Sequence, residues 1–344
     1  MDPQQPAHRD PAPGGGIRLV KPDAFAAVMA TGIVSIAMGQ HGYWTVSTVL
    51  AVLAVVALPV LAVTGVIRWR REPLDLRDPD VPIKLFTFVA ACAVLDTRLA
   101  DIPGALWTLA VLAMVVWIFL GVATVRAIAA QRWSDWIERS RGAWELPSVG
   151  TSGLAIVLTQ LAAFTGWRPL LGVAALLWAS ALVIYAVMTG LILRRAVLAR
   201  LDPDGFEPDA WILMGGLAIA ALAGHHLHRL LDDGWLAEVT RWGAAAAWLG
   251  ATVWITPLLY FALRYLRRPH VLRFAGVWWA MVFPLGMYAV ATHGIVDETG
   301  WPALITVSLV VCWVAMLTWL GVTAGGLAAA ARSLTVQRTG GQHG

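Results

Sequence analysis

Ten stretches of mostly apolar residues follow one another along the chain, and each is close to the length that crosses a lipid bilayer. A helix rises about 1.5 Å per residue, so a hydrocarbon core of about 30 Å is crossed by roughly 20 residues. Because backbone groups in lipid must be paired within the chain, stretches of this kind fold as membrane helices. They cover approximately residues 24–40, 46–67, 82–100, 103–125, 145–166, 169–193, 210–230, 242–263, 274–293 and 301–330.

Composition agrees with an all-α integral membrane protein. Hydrophobic residues make up 59% of the chain and charged residues 13%, whereas soluble domains have about 45–50% and about 25%. We expect one ten-helix membrane domain at residues 18–332, a disordered N-terminal tail at 1–17 and a C-terminal tail at 333–344. No signal-peptide pattern precedes the first stretch. Cys92 and Cys312 lie in apolar stretches and are expected to be buried thiols without a metal.

Basic residues predict the orientation. Of 25 Lys and Arg residues, twenty lie in the two tails and in alternate connections. Four lie in the opposite connections, and Lys84 lies inside the third stretch. The positive-inside rule therefore places both termini in the cytoplasm of a multi-pass protein of the cell membrane, surrounded by membrane lipids. The same rule explains the basic loops without nucleic acid as a partner.

A proline recurs near the beginning of each outward-going helix, at a spacing of 60 to 65 residues. Proline suits the first turn of a helix, and the near-constant period predicts five helical hairpins of one design. The prolines are Pro22, Pro82, Pro147, Pro208 and Pro269.

Bulky and small side chains separate the two helices of each hairpin. Deep tryptophans mark the even-numbered helices: Trp117, Trp178, Trp248, Trp254, Trp313 and Trp319. Small or hydroxylated residues mark the odd-numbered ones: Thr31, Gly32, Ser35, Thr87, Thr151, Ser152, Gly215, Gly216 and Gly286. Such residues permit close helix approach and can face water, which predicts odd helices around an axis with these side chains lining it. The alternative is that they only mark helix contacts.

The ninth stretch has a proline in its middle. Pro284 follows Phe283 and precedes Gly286. A central proline frees a backbone carbonyl, which must be satisfied by protein or water, so this helix is expected inside the bundle or beside a cavity. An ordinary kinked packing helix is the alternative.

Three stretches carry a resemblance to a known family. They are FAAVMATGIVSIA in the first helix, GFEPDAWILMGGLAIAALAG at the seventh and WWAMVFPLGMYAVAT in the ninth. Together they resemble the tellurite-resistance/dicarboxylate transporter family, within the voltage-dependent, slow-type anion channel superfamily. Its members include a bacterial tellurite-resistance permease, yeast malate and sulfite permeases and a plant guard-cell anion channel. The likeness covers nearly all of residues 18–330.

The resemblance implies both a fold and a function. The fold is five hairpins in a quasi-fivefold arrangement around a central pore, with odd helices inside, as a homotrimer without a cofactor. The implied function is transport of small anions, either C4-dicarboxylates such as malate or inorganic anions. A selective chloride or nitrate channel and a sulfite exporter are alternatives. By position, Phe283 corresponds to the family's gating phenylalanine. The tellurite label describes a resistance phenotype.

Pore chemistry favours anions. The middles of the odd helices lack Asp, Glu and Arg, and arginine-rich loops give a positive mouth. A cation path would need acidic rings. Lys84 is a candidate for attracting anions, and a lysine that extends to the bilayer surface is the alternative.

Histidines gather at the outer ends of the first, seventh and ninth helices. His225, His226 and His228, with His41 and His293, suggest a vestibule that gains positive charge as pH falls. Solvated interfacial histidines and a metal site formed by HHLH are alternatives.

Other functions need features that are weak in this sequence. An integral-membrane enzyme would use histidine boxes or Asp-rich motifs, and DLRDPD (75–80) is typical of an ordinary loop. A sensor or scaffold without flux is a third alternative. Asp96 and Arg98 are expected to form a structural pair or to be solvated separately.

Overall fold

The computed structural model describes residues 24–198, 207–267 and 276–340, with the side chains of 134 and 333–340 excepted. This part of the chain is almost entirely helical, as predicted. Its α-helices are α1 (Phe25–Gln40), α2 (Trp44–Arg71), α3 (Asp80–Arg98), α4 (Pro103–Ala129), α5 (Trp133–Arg139), α6 (Leu146–Thr165), α7 (Pro169–Leu198), α8 (Ile212–His228), α9 (Trp235–Leu266), α10 (Trp279–Thr299) and α11 (Ala303–Gly340). Short 3₁₀ turns at Gly142–Glu145, Pro208–Trp211 and Gly276–Trp278 lead into α6, α8 and α10.

A helix coincides with each of the ten predicted stretches, and the seven-residue α5 is an addition. Eight helices of the described chain are long and apolar enough to cross a bilayer, and α1 and α3 are not among them. With 16 residues, α1 is about 24 Å long, and α3 contains four charged side chains. The last helix continues to Gly340, so part of the segment predicted as a C-terminal tail is helical.

The predicted prolines lie where inner helices begin. Pro147 is in the first turn of α6, Pro208 opens the turn before α8, and Pro82 is the third residue of α3. Pro22 and Pro269 lie outside the described residues. Proline tolerates these positions because its missing N–H would have no partner in a first turn.

The helices form an inner and an outer layer. In the most apolar stretches of α6, α8 and α10, 72% to 89% of the residues are buried, against 17% to 33% in α2, α4, α7, α9 and α11. Most residues of α1 and α3 are buried as well. The outer helices expose rows of valine and leucine. An apolar surface of that extent suits lipid rather than water.

The five inner helices pack side by side in a closed sequence. Each contacts two others, in the order α1, α3, α6, α8, α10 and back to α1. Each inner helix also packs against the next long helix along the chain, for example α8 against α9 and α10 against α11.

Glycines allow the inner helices to approach closely. A Cβ at Gly215 of α8 would lie 2.9 Å from Pro284 of α10, and one at Gly286 would lie 2.8 Å from Ile33 of α1. A Cβ at Gly32 of α1 would likewise lie 2.8 Å from Val94 of α3. These glycines therefore lie at helix contacts, which is the alternative that the sequence left open for small residues.

Tryptophans of the outer layer bond to the inner helix of the next pair. Four indoles, from α4, α7, α9 and α11, donate in this way. The bonds are Trp117 to Thr151 Oγ1 (2.9 Å), Trp178 to the carbonyl of Ala220 (2.8 Å), Trp248 to Thr292 Oγ1 (3.0 Å) and Trp319 to Thr31 Oγ1 (2.9 Å). Because a buried indole N–H needs an acceptor, these bonds fix which helices are neighbours.

Candidate functional site

A cavity of about 1120 Å³ opens where the N-terminal ends of the inner helices meet. Every inner helix contributes to its wall: Met29 of α1, Thr87 of α3, Leu146 of α6, Ile212 of α8 and Ala280 of α10. The backbone N–H groups of a helix N-terminus carry partial positive charge. Five such ends around one space give it a field that favours anions.

The rim of the cavity carries charges of both signs. Five basic and five acidic side chains border it: Lys84, Arg132, Arg139, Arg141 and Arg195, and Asp80, Asp135, Glu138, Glu207 and Asp209. The sequence predicted an arginine-rich, positive mouth, but the acidic side chains at the rim are as numerous as the basic ones. Asp80 and Asp209 lie in the first turns that lead into α3 and α8, where a helix N-terminus favours negative charge, whereas Asp135 and Glu138 belong to α5.

Several of these charges are already engaged. Arg141 pairs with Glu207 at 2.7 Å. Asp80 accepts a hydrogen bond from the indole of Trp144 (2.9 Å), and Asp209 accepts one from the backbone N–H of Ala143 (3.0 Å). These contacts hold the beginnings of α3, α6 and α8 together and neutralise part of the rim.

Lys84 differs from the paired charges. It lies on α3, one turn further in than Asp80, and borders the cavity. Its ammonium group has no hydrogen bond or ion pair within the described parts of the chain. Lys84 is thus a cation at the cavity without a direct partner in the described chain, and the carboxylate of Asp209 lies within electrostatic range of it.

Phe283 lies deeper than the cavity and is completely buried (0% exposed). On α10, Pro284 faces α8, Gly286 faces α1 and Thr292 faces α9. At about 100° per residue, Phe283 falls on the side of α10 opposite Thr292, between the faces that carry Pro284 and Gly286. Ala280 borders the cavity, and Phe283 follows it by about one turn along α10, deeper in the bundle.

Of the hydroxyl residues predicted to line a pathway, one borders the cavity and three bond to outer helices. Thr87 borders the cavity and donates to the carbonyl of Lys84 (2.7 Å). Thr31 and Thr151 instead accept bonds from outer tryptophans, and Ser35 donates to the carbonyl of Ser47 in α2 (2.8 Å).

The remaining predicted lining residues lie in the bundle. Ser152 is buried, and its hydroxyl has no hydrogen-bond partner in the described chain. Gly216 packs against Tyr185 of α7, where a Cβ would lie 3.1 Å from the ring. Together with Gly32, Gly215 and Gly286, it belongs to the helix contacts described above.

The histidines are divided between two groups at the other end of the bundle. His225 is buried and lies 2.6 Å from Glu298, and His228 Nδ1 lies 3.0 Å from the carbonyl of Ala237. The ring centroid of His226 is 6.0 Å from that of His225. His225 and His228 border a second cavity of about 460 Å³, together with Arg229, Arg241, Asp297 and Glu298. The imidazole of His225 thus lies directly against a carboxylate.

His41 and His293 form the second group. Their ring centroids are 5.5 Å apart, and His41 Nε2 lies 2.9 Å from Ser308 Oγ. Burial lowers the pKa of His41, and the nearby His293 lowers it further. Among the described residues, no three His, Cys, Asp or Glu side chains converge as metal ligands.

Sequence reasoning missed the environment of Asp96. This residue neither pairs with Arg98 nor meets solvent: it is fully buried, and both carboxylate oxygens lack a hydrogen-bond partner in the described chain. Arg98 turns to the opposite side of α3, where its Nε donates to Ser35 Oγ (3.2 Å). The position of Asp96 at the end of the apolar run AACAVLD was the available signal.

An apolar outer layer around a closed inner layer, with a polar cavity at one end, defines a multi-span membrane protein of the transporter or channel class. Residues 20–327 match the voltage-dependent anion channel family. The chain belongs to that family, which confirms the resemblance found in its sequence.

Individual relatives agree with this class. The chain is 24% identical over 296 residues to an uncharacterized transporter of Methanocaldococcus jannaschii, a match that covers 79% of this chain and 82% of the relative. A second uncharacterized transporter of that organism is 22% identical over 320 residues, with 86% and 90% covered. An uncharacterized membrane protein of Mycobacterium tuberculosis is 30% identical over 141 residues, with 40% and 71% covered.

Proposed function

We propose that the protein moves small anions along the axis of the inner helices. In this arrangement, five hairpins surround the axis, with α1, α3, α6, α8 and α10 inside and Phe283 blocking the path. The observation that carries the proposal is the cavity, because all five inner helices contribute their N-terminal ends to it. Phe283 follows the cavity residue Ala280 by about one turn along α10, so the proposed block would lie deeper than the cavity.

The chemistry of the path supports anions over cations. Lys84 borders the cavity together with acidic groups such as Asp80 and Asp209. Beyond the cavity, the described side chains of the inner helices are apolar or neutral as far as the level of Phe283. A path for cations would place carboxylates there. C4-dicarboxylates such as malate, chloride, nitrate and sulfite are the candidate solutes.

The basic loops bear on the orientation of the protein in the membrane, and the family resemblance bears on its assembly. The arginine-rich connections on the side of the cavity support a location in the cell membrane in which that side faces the cytoplasm. The apolar outer layer contacts lipid, and part of it would meet two further copies in a homotrimer, the assembly that the family resemblance implies.

Reconstitution into liposomes tests the function. Purified protein should release or accumulate at least one of chloride, nitrate, malate and sulfite faster than protein-free vesicles. Accumulation against a gradient would identify a carrier, and selective downhill current would identify a channel. The preparation should contain protein inserted in both orientations, with the cavity facing the inside or the outside of the liposome. Absence of flux for all four anions in such a preparation would contradict the proposal.

Replacing Lys84 with glutamine should reduce anion flux. An ion pair at about 4 Å contributes about 1 kcal/mol even in a water-like dielectric, which corresponds to roughly a fivefold loss of flux at low anion concentration. Initial rates at several salt concentrations would measure the change. Arg77→Gln is the matched control, because Arg77 is exposed in the preceding loop and does not border the cavity. Equal rates for both variants would rule out a role for Lys84.

A membrane enzyme remains the rival from another class. It would need a group that reacts with a substrate at the cavity, and metal-dependent turnover of a lipid by the pure protein would support it. Without such turnover, we assign the cavity residues to the binding and passage of a solute.

A further inference from the structure

The feature that the proposed pathway leaves unexplained is the carboxyl group of Asp96. It belongs to α3, one of the inner helices, and is 0% exposed. A carboxylate without a partner in an apolar interior is strongly destabilised, whereas the protonated acid is tolerated. Because both oxygens lack a partner in the described chain, this environment favours the neutral acid.

Among the residues that the structure describes, no neighbouring charge compensates a carboxylate at this position. On α3 itself, the nearby titratable groups are Cys92 and Arg98, and Arg98 bonds to Ser35 and Ser47 on the other side of the helix. The helices packed against α3 provide no other cation at this level. Neither α1 nor α6 contains a titratable side chain. The basic side chains of α2 lie in its last turn, and the single basic side chain of α4, Arg126, also lies in the last turn, at the opposite end of the bundle from Asp96.

The surroundings contain a second acceptor that lacks a donor. Gln160 of α6 donates its Nε2 to Thr97 Oγ1 (2.9 Å), while its Oε1 is buried and has no partner in the described chain. Thr97 in turn donates to the carbonyl of Ala93 (3.0 Å). Thr97, the neighbour of Asp96 in the chain, is thus bonded to an amide whose buried oxygen has no donor in the described chain.

Asp96 also lies on the far side of the Phe283 level from the cavity. Val94 of α3, two residues before Asp96, packs against Gly32 of α1. The next residue of α1, Ile33, packs against Gly286 of α10, which lies about one turn beyond Phe283. Lys84 is twelve residues before Asp96, about 18 Å along α3. The anion-attracting group and the buried acid are therefore separated by the proposed block.

We propose that Asp96 is a proton-binding site that couples anion movement to protons. This inference rests on the proposed function. The carboxylate takes up one proton from water and is neutral while α3, α4 and α6 are packed as observed. When α3 moves enough for water to reach it, the acid returns the proton to water and the carboxylate is hydrated. No electron transfer or further reactant is involved.

The test compares wild type with Asp96→Asn in proteoliposomes. A trapped pH dye reports protons, while anion uptake is followed with and without a pH gradient. One coupled proton makes accumulation change roughly tenfold for a gradient of about one pH unit. Wild type should show this response. D96N should keep the uptake seen without a gradient and lose the response. Asp101→Asn, in the exposed loop after α3, should behave as wild type.

Each other outcome is informative. A pH response in D96N equal to that of wild type, or wild-type anion flux without proton movement, would overturn the inference and leave the proposed function intact. Absence of wild-type anion flux would instead contradict the proposed function. Asparagine has the shape of the neutral acid, so failure of D96N to assemble would also contradict the inference.

Infrared spectroscopy provides a readout that is independent of transport. The C=O stretch of a protonated carboxylic acid should be present in wild-type protein at neutral pH and reduced in D96N. A spectrum unchanged by the substitution would show that Asp96 is not protonated.

Discussion

Replacing Phe283 with alanine should raise the anion conductance roughly 100-fold. A buried phenylalanine contributes about 3–5 kcal/mol of packing, and each 1.4 kcal/mol changes a population tenfold. If the ring packs across the path when it is closed, its removal opens the route and also destabilises the closed packing. Current recordings in planar bilayers, at equal protein density, would measure the change.

Tyr288→Ala is the matched control for this experiment. Tyr288 lies on the same helix and is also buried (2% exposed), but its hydroxyl bonds to Thr252 of α9 (2.8 Å). Its loss should lower stability without raising conductance. Equal conductance for Phe283→Ala and wild type would show that another group closes the path. An increase in both variants would point to general loosening of the bundle.

The second large effect is expected at Gly142, where two inner helices begin. A Cβ at this position would lie 2.2 Å from the carbonyl oxygen of Asp209 and 2.6 Å from the backbone nitrogen of Ala210. These are backbone atoms and cannot rotate away. Gly142→Ala should therefore cost more than the roughly 1–3 kcal/mol of ordinary overpacking and separate the turns before α6 and α8. Thermal unfolding in detergent would show it as a marked loss of stability.

Gly121→Ala provides the opposite expectation. Gly121 lies inside α4, and a Cβ there would meet no atom within 4 Å. Alanine should stabilise that helix by about 0.5–1 kcal/mol. If Gly142→Ala were equally harmless, the close contact between the two helix beginnings would be wrong. Loss of function in Gly142→Ala without loss of stability would assign the position to the pathway instead.

The sequence predicted the helical elements because their signals are local. Apolar length, helix-start prolines and basic loops each depend on a few neighbouring residues. The deep tryptophans also predicted which helices lie outside. Trp117, Trp178, Trp248 and Trp319 all belong to the poorly buried layer, and all bond inward.

The functions of single polar residues were harder to predict, because they depend on which way a helix faces. Thr31 and Thr87 have the same chemistry at similar depths in the sequence pattern. In the bundle, Thr31 accepts a bond from Trp319, whereas Thr87 borders the cavity. The pairing of His225 with Glu298 joins residues 73 positions apart, which no local pattern predicts.

The hydrogen bond from Trp319 to Thr31 has a consequence for biogenesis. It joins residues 288 positions apart, across the contact between the first and last helical pairs. During synthesis, α1 enters the membrane long before its final neighbours α10 and α11 have left the ribosome. The ring of inner helices therefore stays open between α1 and α8 until α10 and α11 have been inserted, and the hydrogen bond from Trp319 to Thr31 can form only after that step.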